Sequence, residues 1–134
     1  PYQWKRPAPQ PIPFPSMDSE PADHLNFAGQ ARISVDYLIP AENYAEFTRA
    51  IHDLRGVRLR DGAIRWGNYR DATNPEHLNE TFLMESWLDY LRSRERVTAA
   101  DEQIRERVRA LHRDGDTPPK TTHQIYAKEI TGHS

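Results

Sequence analysis

The chain has 134 residues with a net charge of −2 and 28% charged residues, which fits one soluble domain with a tail. That charge excludes the basic excess of a dedicated nucleic-acid binder. The absence of cysteine excludes disulfides, zinc–thiolate sites and cysteine nucleophiles, and fits a reducing compartment. No run of about 18 apolar residues is present to span a membrane, and the amino end shows no apolar signal segment. The sequence opens at Pro1 without a methionine and reads as a piece of something longer.

Seven of the eleven prolines lie within the first 21 residues. Proline fixes φ and removes an amide donor, so "RPAPQPIPFPS" cannot join a helix or a central strand. Residues 1–30 therefore read as an extended polyproline II linker. At its start, Tyr2 and Trp4 precede Lys5 and Arg6, the pattern found at the cytoplasmic end of a membrane span.

The domain proper is expected over residues 31–130, with 131–134 as a tail. "ARISVDYLI" alternates, placing Ile33, Val35, Tyr37 and Ile39 on one face of a strand. Pro40 closes it and opens a helix with Tyr44, Phe47, Ala50, Ile51 and Leu54 inward, which Gly56 is expected to interrupt. "RDG" turns the chain into a second strand, with Trp66 and Asn68 on one side and Arg65, Gly67 and Tyr69 on the other. "ETFLMESW" reads as a third strand, setting Phe82, Met84 and Ser86 opposite Leu83, Glu85 and Trp87. Strands two and three are expected to pair as an antiparallel hairpin. A short helix over 88–96 follows, and a second begins at Thr98, whose pairing with Asp101 is capping-box-like. "THQIYAKEI" supplies a fourth strand. The order is β-α-β-β-α-β, a ferredoxin-like α+β fold with an antiparallel sheet and helices on one face.

"LRDGAIRWGNYRD" at 59–71, "ETFLMESWLDYLRSRERVTAAD" at 80–101 and "THQIYA" at 122–127 carry a family resemblance. They resemble the C-terminal domain of bacterial major-facilitator permeases of the enterobactin-exporter-like group. The β-α-β-β-α-β plan with aromatics on its sheet is similar to the dimeric α+β barrels typified by antibiotic-biosynthesis monooxygenases. Family members often carry histidines on the helix after the third strand; this chain has Tyr90 and Arg94 there, and no histidine role carries over. The resemblance implies a non-catalytic domain on the cytoplasmic side of the inner membrane, tethered through spans upstream of Pro1 and acting in dimerisation or ligand sensing. The alternative it implies is a small cofactor-independent monooxygenase acting on an aromatic or polyketide-like molecule. No cofactor or metal is expected under either reading, since the six histidines are scattered.

A sheet with helices on one face leaves the other bare. Exposed apolar surface is unfavourable by about 25 cal/mol per Å², and an apolar patch marks an interface. A homodimer packed sheet to sheet is therefore expected. Tyr69, Phe82, Met84 and Tyr126 are its interface candidates, and Trp66, Asn68, Trp87, Tyr37, Arg65 and Glu85 the candidates for lining a ligand pocket. The many arginines from Arg92 to Arg113 read as a solvated helix face.

Overall fold

A computed structural model describes residues 29–113 and 117–127. The proline-rich linker up to residue 28 and the tail at 131–134 lie outside the described residues. Strand β1 (Ala31–Leu38) is followed by a short 3-10 turn (Ala41–Asn43), helix α1 (Tyr44–Arg60), and strands β2 (Arg65–Arg70) and β3 (His77–Met84). Helices α2 (Trp87–Arg94) and α3 (Ala99–Arg109) then lead into strand β4 (Lys120–Ile125). All strand pairs are antiparallel and the sheet order is β2-β3-β1-β4, the ferredoxin-like arrangement.

The alternation of β1 is realised along its length: Ala31, Ile33, Val35 and Tyr37 are buried, while their neighbours are partly or fully exposed. Register places Val35 beside Glu80 and Ile33 beside Phe82 on β3, and Trp66 and Asn68 of β2 beside Phe82 and Glu80 in turn. These residues form the helix-covered face. Helix α1 lays Phe47, Ala50, Ile51, Leu54 and Val57 on it. Gly56 does not interrupt α1; it is exposed on the solvent side and the apolar stripe runs past it to Val57. The helix stops at "RDG" instead. Gly62 has φ 111°, and the Ala63 and Gly62 amides return to the Arg58 and Leu59 carbonyls at 2.9 and 3.1 Å. That is a glycine-capped Schellman end.

The third strand starts and ends earlier than its apolar pattern predicts. β3 closes at Met84, and Ser86 caps α2 by accepting a hydrogen bond from the Asp89 amide at 2.9 Å. Trp87 therefore sits at the first turn of a helix, not on a strand, packed against Tyr90 and His123 with ring centroids 5.4 and 5.8 Å away. Phe82 and Met84, expected at a dimer interface, are buried beneath the helices with Trp87 and Tyr90. The reason is parity: both share a face with Leu78 and Glu80, the side that α1 and α2 cover.

The opposite face is mainly polar, with Leu38 among its exposed apolar residues. Ser34 and Thr81 hydroxyls lie 3.0 Å apart. Asn79 Nδ2 donates to Asp36 Oδ1 at 2.8 Å, and Arg32 Nε donates to Gln124 Oε1 at 2.8 Å. Leu83 is the half-buried apolar residue among them, with Tyr69 60% exposed towards the β2 edge and Tyr126 67% exposed just past β4. The large apolar surface expected there is on the covered face instead.

The Thr98 capping box is complete: Thr98 Oγ1 accepts from the Asp101 amide and Asp101 Oδ2 accepts from the Thr98 amide, both at 3.1 Å. Asp101 also accepts from Arg60 Nη2 at 2.7 Å, tying α3 to the end of α1. Burial pushes the Asp101 carboxyl up, but the hydrogen bond from Arg60, those from Thr98 and the Arg60 charge outweigh it and hold it below its ordinary 3.8. A carboxyl depressed in the folded state stabilises the fold above its unfolded pKa, and that contribution is lost as pH falls through the folded value. Urea-unfolding midpoints should therefore drop as pH falls below about 4, and Asp101→Asn should flatten that part of the profile while lowering stability at neutral pH.

Candidate functional site

The covered face holds a buried ion pair. Glu80 is 0% exposed, and Arg58, one turn beyond Leu54 on α1, meets it with Nε and Nη2 at 2.9 and 3.1 Å. Trp66 on β2 donates its indole N–H to the same carboxylate at 2.9 Å. The Arg58 guanidinium also lies over the Phe82 ring, 4.5 Å from its centroid. Burial opposes the Arg58 cation, yet the charge and hydrogen bonds of Glu80 raise its pKa above the ordinary arginine value. Next to this group, Asn68 Oδ1 is buried without a hydrogen-bond partner among the described residues.

Beside the ion pair, a cleft of about 70 Å³ opens between sheet and helices. Its floor is Ile33, Val35, Tyr37 and Phe82; its walls carry Arg58 from α1, Tyr90 and Arg94 from α2, and Arg105 and Arg109 from α3. No described lining residue is acidic. Burial lowers the Arg105 pKa below the ordinary arginine value, and the charges of Arg58 and Arg94 lower it further against the opposing pull of Glu102. Burial first, then the charge of Glu80, pushes the Tyr37 phenol far up, against the nearby arginines, so it stays protonated. His123, 3.3 Å from the Tyr90 hydroxyl, is lowered by burial and by Arg94. A larger hollow of about 400 Å³ lies at the open end of the sheet between Arg32, Leu83, Gln124 and Tyr126, but it is broad and shallow. Among the described residues no three His, Asp or Glu side chains converge as metal ligands.

The sequence candidates divide. Tyr37 lines the cleft. Trp66 and Asn68 stand beside Glu80, one joined to it and the other on the same rung. Trp87 is core. Arg65 and Glu85 are exposed, Arg65 on the open face and Glu85 past the end of β3, so neither lines this cleft. Sequence reading assigned the arginines of α2 and α3 to a solvated face and missed the cleft. The available signal was spacing: Arg105 and Arg109 follow the inward-facing Asp101 by four and eight residues. Asp101 itself pairs with Arg60, because the capping box turns it towards α1.

The model of one protein family, described as transmembrane secretion effector, matches residues 11–131. The chain belongs to this family. It is a transporter-related domain of major-facilitator type, in keeping with the motifs around Trp66, Trp87 and Thr98. No curated protein matches it. Among solved structures, a Bordetella bronchiseptica protein assigned to the antibiotic biosynthesis monooxygenases is 16% identical, with a TM-score of 0.60 over 75% of this chain and 99% of that one. A conserved protein from Methanosarcina mazei is 20% identical, with a TM-score of 0.59 over 76% and 95%. SnoaB, a cofactor-independent oxygenase from Streptomyces nogalater, is 12% identical, with a TM-score of 0.57 over 80% and 100%. At these identities the likeness is one of fold, the monooxygenase-like α+β fold expected from the element order. No helix among the described residues is long and apolar enough to cross a membrane.

The ion pair should matter more broken than replaced. Glu80→Gln leaves the Arg58 charge buried without its counterion and should lower stability by about 3–5 kcal/mol. The double change Arg58→Leu with Glu80→Leu should recover much of that loss. Both are read from urea-unfolding midpoints at neutral pH.

Proposed function

We propose that this chain is a non-catalytic domain of a major-facilitator-type transporter that pairs two subunits and senses a small molecule on the cytoplasmic side. Family membership supports the transporter setting. The observation that carries the reading is the sheet itself: its second face has no covering helix among the described residues. The polar rungs of that face, Ser34–Thr81 and Asp36–Asn79, have their hydrogen bonds already made within one chain. A second sheet can therefore meet it without orphaning buried polar groups. Such a contact is of mixed polarity, as interfaces between soluble partners are, and does not draw on the aromatic residues of the core. The helix-side cleft remains open to a ligand in the paired molecule.

A second reading follows from Asn68. Its unpartnered, buried carbonyl oxygen belongs to a residue two positions from Trp66 on the same face of β2, in a fold that also serves a cofactor-independent oxygenase. Under this reading the domain oxidises an aromatic compound, and Asn68→Ala abolishes oxygen uptake without changing oligomeric state. Against it, Asn68 does not line the helix-side cleft, and that cleft, at about 70 Å³, is smaller than the roughly 300 Å³ or more that encloses most of a drug-sized molecule.

Light scattering at micromolar concentration should show a dimer. Leu83→Glu should yield a folded monomer, since Arg32 and Arg65 flank Leu83 in register and accommodate a carboxylate within one chain. A monomeric wild-type protein, or a dimer indifferent to Leu83→Glu, would remove sheet-to-sheet pairing.

A further inference from the structure

We infer that the helix-side cleft takes an oxyanion, the carboxylate or phosphate group of a small molecule, held by Arg105 and Arg109. This deepens the ligand-sensing reading above and rests on it.

Charge is the first reason. A chain whose net charge is −2 gathers four arginines around one cleft and sets no acidic residue of the described lining against them. Arg58 is matched by Glu80, which leaves Arg105 and Arg109 of α3 to be considered. The nearest carboxylates to Arg105 and Arg109 are Glu102 and Glu106, at 3.6 and 3.8 Å along their own helix. Both separations exceed hydrogen-bond length. Arg105 is nevertheless 80% buried, with 20% of its side chain exposed. A guanidinium withdrawn that far from water without a strong acceptor is unfavourable, and an anion in the cleft would relieve it. The downward pull on Arg105 from Arg58 and Arg94 reports the same excess of positive potential.

Size and geometry set the second. About 70 Å³ holds a few water molecules, which suits one carboxylate or phosphate group with the rest of its molecule outside. Arg105 and Arg109 are four residues apart, so they lie on one side of α3, and both line the cleft. Guanidinium groups of this kind bind carboxylate and phosphate through paired N–H donors. The neutral Tyr37 phenol on the floor adds a donor and no competing charge.

Calorimetric titration of the intact chain with benzoate, with its uncharged counterpart benzamide and with inorganic phosphate tests this. Benzoate, phosphate or both should bind saturably at one site per chain, and whichever binds identifies carboxylate or phosphate as the favoured group. Benzamide should bind at least tenfold more weakly. Arg105→Gln and Arg109→Gln should each weaken the anion by about tenfold, the effect of losing one charged hydrogen-bond partner. Arg107→Gln, on the same helix but paired outward with Asp53, should leave affinity unchanged. Should Arg105→Gln unfold, Arg109→Gln, at a half-exposed position, decides the comparison. Benzamide binding as tightly as benzoate would overturn the anionic class while keeping a ligand site. Binding of neither anion, or equal loss on Arg107→Gln, would overturn the cleft as an anion site and leave the dimer to stand on light scattering alone.

Discussion

The Arg58–Glu80 pair is the constraint on which the interior is arranged. It joins the last turn of α1 to the central strand β3, and the Trp66 indole brings the edge strand β2 to the same carboxylate. Three elements thus meet at one buried charge. A buried pair of this kind contributes little against a well-packed apolar alternative, because desolvation offsets its attraction. It does restrict register: a slip of one residue in β3 would turn Glu80 to the other face and leave Arg58 without its partner. We regard the pair chiefly as a device for a single arrangement of helix and sheet.

From that pair the two faces of the sheet diverge. One is apolar and aromatic, completed by α1, α2 and α3, and closed by two packed clusters around Phe47 and around Phe82. The other is mainly polar, with side-chain hydrogen bonds between strands, and carries Leu38, Tyr69 and Leu83 as well. Unsatisfied buried polar groups are the main obstacle to covering such a face, and here they are few. Specificity in a contact of this sort comes from matching shape and hydrogen bonds more than from apolar area.

The same interior pair organises the cleft. Glu80 is committed to Arg58 and Trp66, and Arg105 and Arg109 of α3 meet no acidic residue of the described lining, their carboxylate neighbours Glu102 and Glu106 lying along their own helix. The fold is shared with oxygenases, but a fold does not bring its chemistry with it. The cleft's small volume and arginine walls differ in kind from the roomy apolar pocket that an aromatic substrate requires. In this transporter-related domain, the arginine-walled cleft lies on the helix side of the sheet, and the face that no described helix covers lies on the other.

Much of the architecture was legible in the residues alone. Period-two alternation in β1, the apolar stripe of α1, the Thr98 capping box and the "RDG" stop are local signals, and each acts through neighbours within a few residues. Their order determined the ferredoxin-like plan and the single helix-covered face. What only the tertiary structure decided was which side of each strand is that face, and hence where Phe82, Met84 and Trp87 go. A strand has two faces of equal standing until a helix packs on one, and Ser86 read as a strand residue until its hydroxyl was seen capping α2. The cleft was hidden for the same reason. Arg58, Arg94, Arg105 and Arg109 are spread over some fifty residues, and charges that far apart along a chain acquire a joint meaning only when folding brings them to one cavity.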